Sequence, residues 1–196
     1  SRGLGDVYKR QPFDIAIHGA LMKSGNDAAA VLALFAAGNM SDAVALMNKE
    51  AKSLGATESN FVNPHGLYND NHYTTAYDLY LIFNEAIKYS KFVDTLSCMK
   101  YTGSFTRKTA YGDYSIGCSY TNSNGFLTGS YATPDGIKVY GGKAGYTEVA
   151  RRSYVMLAES NNGHKYIIIT MRAESNSLMY KDLSALLNKI PVEKKS

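Results

Sequence analysis

The hydrophobic period of this 196-residue chain changes near Met99, and that change limits what it can fold into. Before it, apolar residues recur at helical spacing. From Phe13 the pattern runs through Ile17, Ala20 and Leu21 and stops at Lys23-Ser24-Gly25-Asn26, where Gly and Asn oppose continuation. Asp27 to Ala37 is Ala-rich and apolar nearly all round, with Val31, Leu32, Leu34 and Phe35, as a buried helix is. Gly38-Asn39 ends it. Ser41 is the expected N-cap of the next helix, with Ala43, Leu46, Met47 and Leu54 on one face and Gly55 as its stop. Residues 57–73 read as a loop rich in Asn, Pro, Gly and His. Thr74 or Thr75 then caps an amphipathic helix through Leu79, Ile82, Phe83, Ala86 and Ile87.

Beyond Met99 the pattern is that of strands. Tyr101 to Thr106 and Tyr114 to Tyr120 bracket a turn at Tyr111-Gly-Asp113, and Ile137 to Lys143 is a third strand. Tyr154 to Ala158 and Tyr166 to Thr170 join across Asn161-Asn-Gly163, a hairpin signal. Ser177 is expected to cap a last helix carrying Met179, Leu183, Leu186, Leu187 and Ile190, ended by Pro191. Helices, then strands, then one helix predict an α+β domain with helices on an antiparallel sheet. Hydrophobic content of 45% with 19% charged residues excludes a disordered chain. No run approaches ~20 apolar residues, so no segment reads as a membrane-spanning helix.

The net charge of +4 invites a nucleic-acid reading, but its location argues against one. Residues 1–11 contribute +2 and residues 191–196 contribute +1, which leaves the body at +1. A body so near neutral has no broad footprint for a phosphate backbone. Residues 1–11, Gly-rich and basic, match neither a targeting signal nor a helix. They read as a leader foreign to the domain, which is expected over 12–190 with 191–196 as a tail. Cys98 and Cys118 fit no metal spacing and no CxxC motif, and two free, partly buried thiols are expected.

Three segments can carry chemistry together. Ser24-Gly25-Asn26 puts a hydroxyl and an amide on a turn between helices, suited to proton relay and to holding a peptide group. Gly141-Gly142-Lys143-Ala144-Gly145-Tyr146-Thr147 puts an ammonium at a strand end, where small neighbours admit a substrate backbone. Phe61-Val62-Asn63-Pro64-His65-Gly66-Leu67 is a tight turn with a His. Each is common alone. Ser160-Asn161-Asn162 repeats Ser-x-Asn inside the expected hairpin turn.

In combination these segments resemble one family. Met22-Lys-Ser-Gly-Asn-Asp-Ala-Ala29 is similar to the second active-site motif of the serine-type D-alanyl-D-alanine carboxypeptidases, which are low-molecular-mass penicillin-binding proteins. Asn60-Phe-Val-Asn-Pro-His-Gly-Leu67 and His72-Tyr-Thr-Thr-Ala-Tyr-Asp-Leu79 resemble two further family segments, in the same order. Tyr120-Thr-Asn-Ser-Asn-Gly-Phe-Leu127 resembles the loop before the third motif. Asp135-Gly-Ile-Lys-Val-Tyr-Gly-Gly-Lys-Ala-Gly-Tyr-Thr147 resembles the Lys-Thr-Gly strand. The likeness covers about residues 12–190.

The resemblance implies a β-lactamase/transpeptidase-like fold with an antiparallel sheet and helices on both faces. It implies an exported enzyme that removes terminal D-Ala from peptidoglycan stem peptides through an acyl-enzyme, with β-lactams as inhibitors of the complete enzyme. Neither metal nor cofactor is implied, and membrane association is expected only through segments missing here. By the same resemblance Lys143 recognises the substrate carboxylate, Ser24 relays a proton to the leaving nitrogen and Asn26 binds substrate backbone. Ala144, Gly145, Tyr146 and Thr147 line the substrate, and the Tyr146 N–H is one oxyanion-hole donor.

Two departures stand out. No Ser-x-x-Lys precedes Ser24, so the first strand and the nucleophile helix are expected to be missing and the chain alone to be inactive. Ser97-Cys98-Met99-Lys100 matches the spelling but follows Ser24 and straddles a helix-to-strand change, where i and i+3 share no face. Ala144 stands where the family usually has Thr or Ser, and Arg151 and Arg152 can supply carboxylate ligands in its place. His65, His72 and Asp78 read as structural, the first holding its turn, the second packing at a helix entry and the last in a first helical turn. The alternatives are a non-catalytic wall-binding relative and a β-lactamase-type hydrolase.

Overall fold

The computed structural model describes residues 13–193, so the leader read over 1–11 and the last three residues of the tail lie outside the described residues. Among the described residues five helices come first: α1 (Phe13–Lys23), α2 (Asn26–Ala37), α3 (Met40–Ser53), α4 (Ala76–Ala86) and α5 (Ser90–Ser97). Five strands follow: β1 (Lys100–Thr109), β2 (Gly112–Thr121), β3 (Ile137–Thr147), β4 (Arg151–Ser160) and β5 (Lys165–Ala173). Helix α6 (Asn176–Leu187) closes the order.

Two cap assignments change. Asn39, not Ser41, caps α3, and its side chain accepts the Asp42 N–H at 2.9 Å. Ser175, not Ser177, caps α6, accepting the Leu178 N–H at 3.1 Å. In both cases the residue one step before the helix has extended backbone and a side chain that reaches the third N–H. Sequence alone does not separate two good caps two residues apart.

The strands divide between two antiparallel sheets, where the pattern predicted one. β1 and β2 form a separate hairpin, while β3, β4 and β5 form a sheet with β4 in the centre. The division follows from what each strand can bury. β1 and β2 have few apolar side chains and remain mostly exposed. They rest on α1 through aromatic stacking, His18 on Tyr101 at 3.8 Å and Tyr101 on Tyr120 at 6.1 Å.

β4 has apolar residues at every position of its middle. Tyr154, Met156 and Ala158 join Met179, Leu183 and Leu187 of α6 in the main core. The intervening Val155 and Leu157 meet Phe83 of α4 and Leu96 of α5 in a second cluster. A period of two thus sends alternate side chains into opposite layers, and the sheet carries helices on both faces. Helices α1 to α3 pack outward from this second layer, α1 against α2 and α5, and α2 against α3. Both cysteines are free thiols, half-buried, with Cys118 opposite Gly103 and Cys98 at the end of α5. Among the described residues no single helix is long and apolar enough to cross a membrane.

Candidate active site

Among the described residues β3 is an edge strand, with β4 as its one strand partner. A bulge between Val139 and Gly141 displaces it, and Gly141 holds φ +119° there. A Cβ at Gly141 would overlap the Leu96 carbonyl at the end of α5, and one at Gly142 would overlap the Val155 carbonyl of β4. The Gly pair therefore lets β3 lie close against two backbones just before Lys143.

The turn between α1 and α2 is equally constrained. Gly25 donates its N–H back to the Gly19 carbonyl at 3.0 Å, and Ser24 sits at φ +54°, a conformation that costs a residue with a Cβ. This turn brings the Ser24 hydroxyl to the strand: the Lys143 ammonium donates to Ser24 Oγ at 2.6 Å and also to the Ala144 carbonyl. Burial lowers the Lys143 pKa from the ordinary lysine value. No carboxylate among the described residues forms an ion pair with it.

A cleft of about 380 Å³ opens here, lined by Ser24, Asn26, Lys143, Ala144, Gly145, Tyr146 and Arg152. Asn26 is the first residue of α2, and its amide makes no hydrogen bond to another described residue. Tyr146 and Arg152 are cross-strand partners, with the guanidinium 4.6 Å from the ring centroid. Two expected residues stay outside this cleft. The Thr147 hydroxyl accepts the Ala150 N–H at 3.0 Å and shapes the β3–β4 turn. Arg151 is exposed at the start of β4, with φ +60°.

Five cleft residues were missed or assigned elsewhere: His65, Gly66 and Leu67 of one turn, and Asn176 and Met179. His65 holds its turn by accepting the Leu67 N–H on Nδ1 at 3.3 Å, as the pattern suggested, but its ring also lines the cleft. Asn176 and Met179, from the start of α6, line it as well. No local signal marks them, because their place depends on α6 packing across β4. The remaining readings are structural. His72 Nδ1 accepts the Val62 N–H at 3.2 Å. Asp78 is buried, accepts the Ser59 hydroxyl at 2.7 Å, and its N–H is held by Thr75. Ser97 donates to the Val93 carbonyl at 2.9 Å as the last residue of α5, whereas Lys100 opens β1. Beneath the cleft a second, apolar groove of about 630 Å³ runs between α1, α2, α3 and α4, with Ser24 and Lys143 at its rim.

The model of peptidase family S11, D-alanyl-D-alanine carboxypeptidase, matches residues 11–175. The chain belongs to this family. Among curated relatives, a D-alanyl-D-alanine carboxypeptidase of Bacillus subtilis, DacF, is 34% identical over 151 residues, 76% of this chain and 34% of the relative. DacA of Escherichia coli is 34% identical over 149 residues, 71% of this chain and 32% of the relative. The chain thus spans about a third of the length of these carboxypeptidases. Among solved structures, a D-alanyl-D-alanine carboxypeptidase from Mycobacterium tuberculosis superposes with TM-score 0.70 at 27% identity, covering 91% of this chain and 63% of that one. The Streptomyces K15 DD-transpeptidase gives TM-score 0.76 at 25% identity, covering 89% and 66%. The penicillin-binding/transpeptidase fold expected from the motifs is therefore the fold of this carboxypeptidase-family chain.

Proposed function

We propose that this chain carries the substrate-positioning part of a serine-type D-Ala-D-Ala carboxypeptidase that acts on peptidoglycan stem peptides outside the cytoplasmic membrane. The observation that supports it is the 2.6 Å hydrogen bond between Lys143 and Ser24, which joins a strand edge to a helix turn inside a cleft without an acidic residue. The substrate backbone lies along the free edge of β3, as an added strand would. The Asn26 amide holds a peptide group of the substrate, and Lys143 draws its carboxylate by charge. In acylation a serine oxygen attacks the penultimate carbonyl. The tetrahedral oxyanion is met by the Tyr146 N–H, and Ser24 relays the proton of the attacking serine to the departing D-Ala nitrogen as its bond to the carbonyl carbon breaks. Water then hydrolyses the ester. β-Lactams present the same carbonyl and carboxylate and acylate the same serine.

The attacking serine is not Ser97, whose hydroxyl is engaged within α5. The test is incubation with a labelled penicillin followed by mass mapping. The 196-residue chain is expected to form no stoichiometric adduct, and an adduct on Ser97 overturns the assignment. A non-catalytic wall-binding role is the second reading, favoured by Ala144, which puts a methyl group where the cleft lacks a hydroxyl. D-Ala release by the protein with its upstream coding sequence separates the two.

A further inference from the structure

We infer that the outward face of α4, built on Tyr77 and Tyr80, binds an uncharged chain of N-acetylated pyranose units. The inference rests on the reading above only for the choice of polymer, since peptidoglycan stem peptides hang from a chain of that kind. Helix α4 has two unlike faces. Asp78 is buried, Phe83 belongs to the second core cluster, and Leu79 and Ile82 line the apolar groove. Tyr77, Tyr80 and Asn84, at i, i+3 and i+7, share the opposite face and are exposed.

The two rings form one aromatic unit at the surface. Their centroids lie 6.0 Å apart and their planes are within 28° of each other. Tyr77 is 67% exposed and Tyr80 40%, so neither ring is spent on the core. An aromatic face carries negative potential, and a pyranose ring turns weakly positive C–H groups toward such a face. The phenol hydroxyls and the Asn84 amide supply donors and acceptors at the edge of the stack, where hydroxyl and acetamido groups of a sugar need them.

Charge decides among the partners an aromatic face could take. Helix α4 has no Lys or Arg, so a phosphate backbone or an anionic lipid surface meets no counter-charge on it. Of its two carboxylates, Asp78 accepts the buried Ser59 hydroxyl and Glu85 is paired with Lys88 at 2.6 Å. Leu79 and Ile82 are turned into the groove and offer no aliphatic wedge to a membrane. What remains outside is neutral, aromatic and hydrogen-bonding, which matches a neutral hydroxyl-rich polymer. The loop before α4 leaves the cleft at Gly66 and Leu67, which line its wall, and reaches the helix at its cap, Thr75. One loop thus connects the cleft to the Tyr face.

The test is an NMR titration of the isotope-labelled chain with chitohexaose, the hexamer of N-acetylglucosamine, and with the monosaccharide. The hexamer is expected to bind with shift changes at Tyr77, Tyr80 and Asn84, and about tenfold or more tighter than the monosaccharide. Tyr77→Ser and Tyr80→Ser each remove one exposed ring and are expected to weaken hexamer binding about fivefold or more. Tyr77→Phe keeps the ring and is expected to stay within about twofold of wild type. Tyr111→Ser, at the exposed tip of the β1–β2 hairpin, is expected to leave binding unchanged. Unaltered melting temperatures show that the variants are folded. Absence of hexamer binding by wild type, equal binding by both Ser variants, or shift changes at the cleft in place of α4 overturns the inference. Each of these outcomes leaves the functional reading standing, because penicillin acylation and D-Ala release test that reading at the cleft.

Discussion

Lys143 and Ser24 stand 119 residues apart in sequence, and the ammonium of one donates to the hydroxyl of the other at 2.6 Å. That bond is made by a turn held under strain, since Ser24 adopts φ +54°. Replacement by Gly relieves the Cβ, and replacement by Ala does not. Ser24→Gly is expected to raise stability by about 1 kcal/mol over Ser24→Ala, while both lose the hydroxyl. Urea midpoints of the two variants measure the difference. Equal midpoints would show that the turn stores no strain.

The close approach of β3 to β4 and α5 makes a second prediction. A methyl at Gly142 meets the Val155 carbonyl, which belongs to a paired backbone and cannot move alone. Gly142→Ala is expected to destabilise by about 2–3 kcal/mol, and to loosen Lys143 next to it. The chemical shift of the Lys143 side chain, read by NMR at temperatures below unfolding, reports the second effect.

Asn124 ties the segment before β3 to the sheet. Its amide donates to the Tyr154 hydroxyl at 2.7 Å, and its oxygen accepts the Phe126 and Leu127 N–H groups at 2.9 and 3.1 Å. It is buried, so its loss strands three partners away from water. Asn124→Ala is expected to cost about 2–4 kcal/mol, against about 1 kcal/mol for Tyr154→Phe, which strands a single donor. A similar cost for both would mean that the Asn124 oxygen contributes nothing.

His72 gives the fold a pH dependence. Burial, with the nearby His65 charge as a smaller cause, lowers its pKa below the ordinary value of 6.5. The unfolded chain therefore binds a proton at pH values where folded His72 does not. Stability from this residue is intact above pH 6.5, falls as the pH drops through that value, and is fully lost below the lowered folded pKa. His72→Gln is expected to flatten the decline in melting temperature below pH 6.5 relative to wild type. Parallel curves would remove His72 as the cause.

Much of the architecture was legible in the residues, for reasons that differ between elements. Helices α1 to α4 were readable because their apolar residues repeat at helical spacing and end at Gly or at polar turns. The hairpin turn at 161–163 was readable from Asn-Gly chemistry. The assignment of β1 and β2 to a separate sheet was not, because strand pairing depends on which surfaces remain to be covered after the core has formed. The N-caps of α3 and α6 were displaced by two residues for a local reason: two capping side chains lie two positions apart, and the earlier one reaches the N–H three residues on.

In the candidate site the sequence by itself determined the chemical types and their order: a hydroxyl and an amide on a turn, an ammonium on a Gly-rich strand, a His in an Asn-Pro-His-Gly turn. These depend on residues close together in the chain, where turn and strand preferences act. Only the tertiary structure decided which of these groups share a cleft. It admitted Arg152 and left Arg151 outside, though they are adjacent, because Arg151 leaves the turn at φ +60° and is exposed while Arg152 pairs with Tyr146 across the strands. It brought in Asn176 and His65 because α6 and the 57–73 loop pack where β3 ends. Proximity across a hundred residues is set by burial of the whole core, and no local pattern encodes it.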